Sequence, residues 1–146
     1  MQPENLRSQP DAEVGAGHPV VAELEAAAQN LLFISETDAP LTPFFWPSAE
    51  KTLTPELLAQ LAKLPADVAL STQTLAEFFE PATTEEDWMN DDERAEARRF
   101  QELAKVLEAN LSDTVVYRAG ETNVAVYAVG KVEGGFAGVA TNVVET

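Results

Sequence analysis

The side chains with chemical reach in this chain of 146 residues are overwhelmingly carboxylates: 25 Asp and Glu stand against nine Lys and Arg, with one histidine and no cysteine. The missing cysteine removes disulfides, thiolate nucleophiles and Cys-based metal sites. His18 lies where a polar leader meets the first helix, and capping or plain exposure is expected there. A nucleophile–histidine–acid triad therefore has little to work with. A carboxylate pair could run acid–base hydrolysis, but no spacing marks any two of them as partners. Asp87, Asn90, Asp91 and Asp92 superficially suggest a calcium loop. The turn glycine and the spaced terminal glutamate are missing, so they read as acids at a helix start. Gly130, Gly134, Gly135 and Gly138 do not precede a helix, so they form no phosphate cradle and read as turn and sheet-packing glycines.

Three stretches remain as candidates. They are the acidic loop Ser35 to Asp38 with Glu36, the acidic–aromatic loop Asp87 to Asn90 with Trp88, and the terminal pair Glu145–Thr146. Each also has a purely structural meaning: Glu36 as a cap, Trp88 folded into the core, Thr146 as the place where the sequence stops. The net charge of -16 bears on all three. Nucleic-acid binding draws its affinity from cations neutralising phosphates, so direct nucleic-acid binding is excluded. A strongly acidic surface attracts basic partners, and it also serves solubility.

The elements that must position these residues follow from periodicity. Met1 to Gly17 is polar and rich in Pro and Gly, so residues 1–18 are expected as a flexible tail and 19–146 as a single domain. Pro19 to Leu32 has helical apolar spacing. Phe44 to Trp46, between two prolines, reads as a short strand or core plug. Thr54–Pro55 starts a helix carrying Leu57, Leu58, Leu61 and Leu64. A strand is expected near Val68 to Leu70. A helix follows from Ser71–Thr72 to Pro81. A long helix begins near Asp91 with Phe100, Leu103, Leu107 and Leu111 on one stripe; Arg94, Arg98, Arg99 and Lys105 lie off it and read as solvated. Three strands close the chain: Thr114 to Arg118, Asn123 to Lys131 and Phe136 to Val144, joined by hairpin-length connectors. The last two are apolar on both faces, which requires cover on both sides. The class expected is α+β, an α/β/α sandwich with a mainly antiparallel central sheet flanked by helices.

A chain of this length is one domain's worth and can bury roughly 70% of its unfolded surface. No run approaches the ~20 apolar residues of a membrane span, and the N-terminus lacks the pattern of a signal peptide. These features predict a cytoplasmic protein with no membrane contact.

The same stretches resemble the nuclease A inhibitor family, inhibitors of a cyanobacterial sugar-nonspecific nuclease. The matching segments are LLFISETDAP (31–40), ATTEEDW (82–88), the helix around Arg99 to Leu111, VYRAGE (116–121), VAVYAVG (124–130) and the ending FAGVATNVVET. Order and spacing hold over roughly Val21 to Thr146. The tail before Val21 is longer than the family's, and Ser48 to Leu70 departs from its pattern.

The resemblance implies an α/β/α sandwich and a non-enzymatic inhibitor without a cofactor or metal of its own. The implied partner is a basic, metal-dependent nuclease of the ββα-metal type, held in a 1:1 complex by a protein that is a monomer when free. By the same resemblance Glu36 pairs with a basic active-site side chain. Asp87 and Trp88 belong to the interface, and Thr146 reaches the nuclease's divalent ion; Glu145, its neighbour in the terminal pair, is taken as partner-binding with them. The chemistry is consistent with this. Carboxylates mimic phosphate toward arginine, and hydroxyl and carboxylate oxygens suit a hard cation. The alternative is an acidic binding module or DNA mimic on the same scaffold with another basic partner.

Overall fold

A computed structural model describes residues 18–145. The elements run in the order α1 (Pro19–Ala28), β1 (Leu32–Ile34), β2 (Asp38–Pro40), β3 (Thr42–Pro47), α2 (Pro55–Ala62), β4 (Leu70–Gln73), α3 (Leu75–Thr83), α4 (Asp91–Asn110), β5 (Ser112–Ala119), β6 (Asn123–Val132) and β7 (Gly135–Val144). The expected tail, Met1 to Gly17, lies outside the described residues, as does Thr146.

The three apolar runs at the end of the sequence become the middle of the sheet. The order is β3-β7-β6-β5-β4, and every neighbouring pair is antiparallel. β6 and β7 pair along their whole length, from Asn123 opposite Val144 to Val132 opposite Gly135. Both faces of these strands are covered, as their double-sided apolarity demands. On one face α1, α3 and α4 pack Leu24, Phe79, Phe100, Leu103 and Leu107 against Val116, Val126 and Val139. On the other, α2 lays Leu58 over Tyr117, Val129 and Phe136, with Leu57, Leu61, Phe44, Trp46 and Tyr127 around it. Removing each fully buried Leu or Phe from water contributes roughly 1.5–3 kcal/mol, and the α4 stripe supplies Phe100, Leu103 and Leu107. The architecture is the α+β sandwich expected, with three helices on one face and one on the other.

Several boundaries moved, each for a local reason. α1 stops at Ala28 and does not reach Leu32. Asn30 takes a left-handed φ of 64°, a conformation asparagine tolerates, and the chain turns so that Leu31 is buried while Leu32 enters β1. Asp38, expected in a loop, opens β2. Ser71 and Thr72, expected to start a helix, pair with Arg118 and Tyr117 as part of β4. The α3 cap is Thr74, whose side chain accepts from the Glu77 N–H while Glu77 accepts from the Thr74 N–H. That capping box outweighs the earlier start. Pro81 does not end α3 either. It cannot donate to the carbonyl four residues back, but the helix runs on to Thr83. The Thr83 and Thr84 hydroxyls donate to the Phe79 and Glu80 carbonyls, at 3.0 and 2.7 Å.

Candidate functional site

The loop bearing Glu36 is a three-residue connection. β1 and β2 pair with Ile34 opposite Asp38, leaving Ser35, Glu36 and Thr37 to make the turn. The Ser35 N–H and hydroxyl both donate to the Thr37 carbonyl, at 2.9 and 3.1 Å. Glu36 stands exposed at the tip. The hairpin is fixed to the sheet. The Thr141 hydroxyl on β7 faces the Ala39 carbonyl at 3.5 Å, and the Val144 N–H donates to Ser35 Oγ at 3.0 Å. The tip of the acidic loop and the end of β7 are thereby joined by one hydroxyl.

The end of β7 is held from its other side as well. The Glu145 N–H donates to the Thr122 carbonyl at 2.9 Å. The Glu145 carboxylate forms an ion pair with Arg118 on β5. Arg118 also donates from Nη1 to Gln73 Oε1 at 3.3 Å, so its guanidinium bridges β4 and the residue following β7. Strand alternation puts Arg118 on the same face as Val116, under the three-helix layer. Glu145, named from the sequence among the partner-binding residues, therefore has its carboxylate engaged within the protein.

Trp88 is 71% exposed, which disposes of its core-folding alternative. The loop carrying it is nevertheless well anchored. Gln101 Nε2 on α4 donates to the Thr83 carbonyl at 2.8 Å. Arg98 grips Glu85 with two bonds of 3.2 and 3.3 Å. Arg94 donates to the Asp87 carbonyl at 3.1 Å and the Met89 carbonyl at 3.2 Å. Asn90 then caps α4 in a reciprocal box with Glu93, at 2.8 and 2.9 Å. The hydrogen bond from Arg98, helped by one from Gln101, holds the Glu85 carboxyl below the usual carboxylate range. A loop so constrained loses little further backbone freedom when it meets a surface.

A groove separates this loop from β1. It has a volume of 220 Å³, and both Ile34 and Met89 line it. Trp88 precedes Met89, and Ser35 follows Ile34. The Asp87–Trp88 pair and Ser35 each adjoin a residue that lines the groove, and Ser35 is tied to the end of β7. The structure thus joins the Glu36 loop to the strand end that carries Glu145, and the Asp87–Trp88 pair precedes Met89, which lines the same groove as Ile34. Thr146, the fifth candidate, lies outside the described residues.

Three participants lay outside the candidate stretches, Arg94, Arg98 and Arg118, and Ser35 lay inside one without its link to Val144 being visible. Arg94, Arg98 and Gln101 recur at helical spacing of four and three, which puts three long hydrogen-bond donors on one stripe of α4. That stripe was the available signal; Arg98 is solvated as expected and still bonds to the loop, as Arg94 and Gln101 do. Arg118 and Ser35 gave no local signal, because their partners are distant in sequence. His18 behaves as expected: its Nδ1 caps α1 by accepting from the Val20 N–H at 3.1 Å. Among the described residues no group of three or more His, Asp or Glu side chains is placed to hold a metal ion. No helix there is long and apolar enough to cross a membrane.

The fold is an acidic α+β scaffold with anchored loops and one strongly exposed tryptophan. A family model described as Nuclease A inhibitor-like protein matches residues 18–146, and the chain belongs to that family. Membership makes it a nuclease-inhibitor protein, a binder of a nuclease with no catalytic reaction of its own. No curated protein is significantly similar to it.

Proposed function

We propose that the protein inhibits a metal-dependent, sugar-nonspecific nuclease of the ββα-metal type by occupying its active site. The observation that carries this reading is the Ser35 link. Because Val144 N–H donates to Ser35 Oγ, the Glu36 loop and the residues following β7 advance on a partner together. Glu36 supplies a carboxylate to a cationic side chain that would otherwise grip phosphate. Thr146 follows Glu145, whose main chain and side chain are both held, and offers oxygen to the nuclease's divalent ion. Asp87 and Trp88 flank the plug, with Trp88 as an aromatic anchor. Glu145 serves as part of the mount, through Arg118, more than as a contact. One inhibitor molecule, monomeric when free, closes one active site. The family match extends over residues 18–146, a range that includes 48–70, which favours the family's partner class over a DNA mimic that has changed partner.

The test is a nuclease protection assay with magnesium, using protein whose last residue is Thr146. Deleting Thr146, or extending the chain beyond it with a tag, should raise the inhibition constant by on the order of a hundredfold or more, the scale of a lost hot spot, while thermal melts stay unchanged. Equal inhibition by a well-folded truncated form would rule out the plug.

A further inference from the structure

The groove between β1 and α4 has a composition the plug reading does not use. Its floor is apolar: Phe33, Ala97 and Phe100 lie there. Phe33 is fixed by stacking on Phe78 at 4.6 Å and by an edge contact with Phe100 at 6.2 Å. Glu93 and Glu96 stand among the lining residues as well. Glu93 uses one oxygen to cap α4, and among the described residues neither glutamate is in an ion pair.

The exposed large apolar side chains of the described residues are Leu32, Ile34 and Trp88. The first two line this groove, and the third adjoins Met89, which also lines it. These side chains therefore lie in the groove or one residue from its lining, and clustered exposed apolar groups are the usual mark of a contact site. That place is continuous with the Glu36 loop through Ile34 and Ser35.

We propose that the groove receives a lysine or arginine side chain of the bound nuclease, its aliphatic stem on the Phe33–Phe100 floor and its cation against Glu93 and Glu96. The inference rests on the nuclease-inhibitor reading above and extends the interface beyond the plug. Long cationic side chains bury their stems on apolar surface and keep the charged head among polar groups. An apolar floor edged by two carboxylates is the complement of that shape. A second copy of this chain is a poor occupant, because two molecules of charge -16 repel.

The probe is a purified ββα-metal nuclease with magnesium, and the readouts are its dissociation constant and its residual activity. Ile34→Ala and Glu96→Gln should each weaken binding on the order of tenfold, and Glu96→Lys on the order of a hundredfold, as for groups in contact across an interface. Inhibition should still be complete at saturating protein, and the Glu96 effects should shrink with added salt. Thermal melts check each variant's fold. Hydrogen exchange on wild-type protein gives a reading free of substitution: the amides of Ile34 and of residues 93–97 should slow on complex formation.

If wild type inhibits while the variants bind as it does, or those amides do not slow, the groove has no occupant and the inference falls alone. A loss for Ile34→Ala with none for Glu96→Lys identifies an apolar occupant and overturns it. So does self-association of the free protein that Ile34→Ala abolishes. Failure of wild type to bind or inhibit would instead overturn the inhibitor reading itself, and the groove's proposed occupant with it.

Discussion

Ser35 uses both roles of a hydroxyl at once, donating to Thr37 and accepting from Val144. Replacing it with alanine leaves the partly buried Val144 N–H without its acceptor, a loss of about 1–3 kcal/mol where no water takes over. We expect Ser35→Ala to quicken amide exchange at Val144 and to raise the inhibition constant about tenfold or more. The loss falls on the alignment of two contact regions, and each tenfold step corresponds to about 1.4 kcal/mol. Unchanged exchange at Val144 would show that the link is not maintained in solution. Nothing in the sequence marks this bond, because its two ends are 109 residues apart. The tryptophan was opaque for a related reason. Its acidic neighbours fit either a core or a surface fate, and the deciding contacts come from Arg94, in the following helix. Glu36 and the Asp87–Trp88 pair could be singled out from residue type and family resemblance. That both stretches adjoin residues lining one groove could not.

Elements were far more legible than contacts. Runs such as Val124 to Val129, apolar on both faces, leave few alternatives to a covered strand, and the α4 stripe could hardly be anything but a helix. The errors fell where short polar residues decide boundaries, as at Asn30 and at Thr74. β7 is the element on which the site most depends, since it pairs on both edges and carries Glu145 beyond its end. Gly138, midway along it, faces Phe44 on one side and Val129 on the other. A Cβ at this position would lie 1.8 Å from the Ala128 carbonyl oxygen, a backbone atom that cannot swing aside. Gly138→Ala should therefore destabilise the fold by about 1–3 kcal/mol or more, in the manner of an overpacked core. Chemical denaturation, read as a lower midpoint at unchanged slope, checks it. A midpoint equal to wild type would mean that the sheet yields there.

On the scale of the molecule, charge governs how the partner is met. A net charge of -16 spreads a negative field well beyond the contact residues, and at low ionic strength it steers a basic protein toward rates on the order of 10⁸–10⁹ M⁻¹s⁻¹. Raising the ionic strength from about 0.01 M to 0.15 M shortens the screening length from about 30 Å to about 8 Å. The association rate should then fall by tenfold or more while the dissociation rate changes little. Stopped-flow mixing with the nuclease separates the two. An association rate indifferent to salt would assign the acidic surface to solubility alone.

The order of the strands has a consequence for how the molecule is made. β3 and β6 flank β7 and are both translated before it, so a nascent chain on the ribosome holds β3 without its sheet partner β7 until residues 135–144 emerge. Long-range strand pairing of this kind is slow to form and vulnerable while incomplete. A chain broken off before β7 lacks the strand that bridges β3 to β6, and with it the Val144 N–H that sets Ser35. Such a fragment loses its fold and its means of engaging a nuclease together. Competence to bind therefore waits on residues 135–144, and fragments that lack them are left to proteolysis instead of competing for the target.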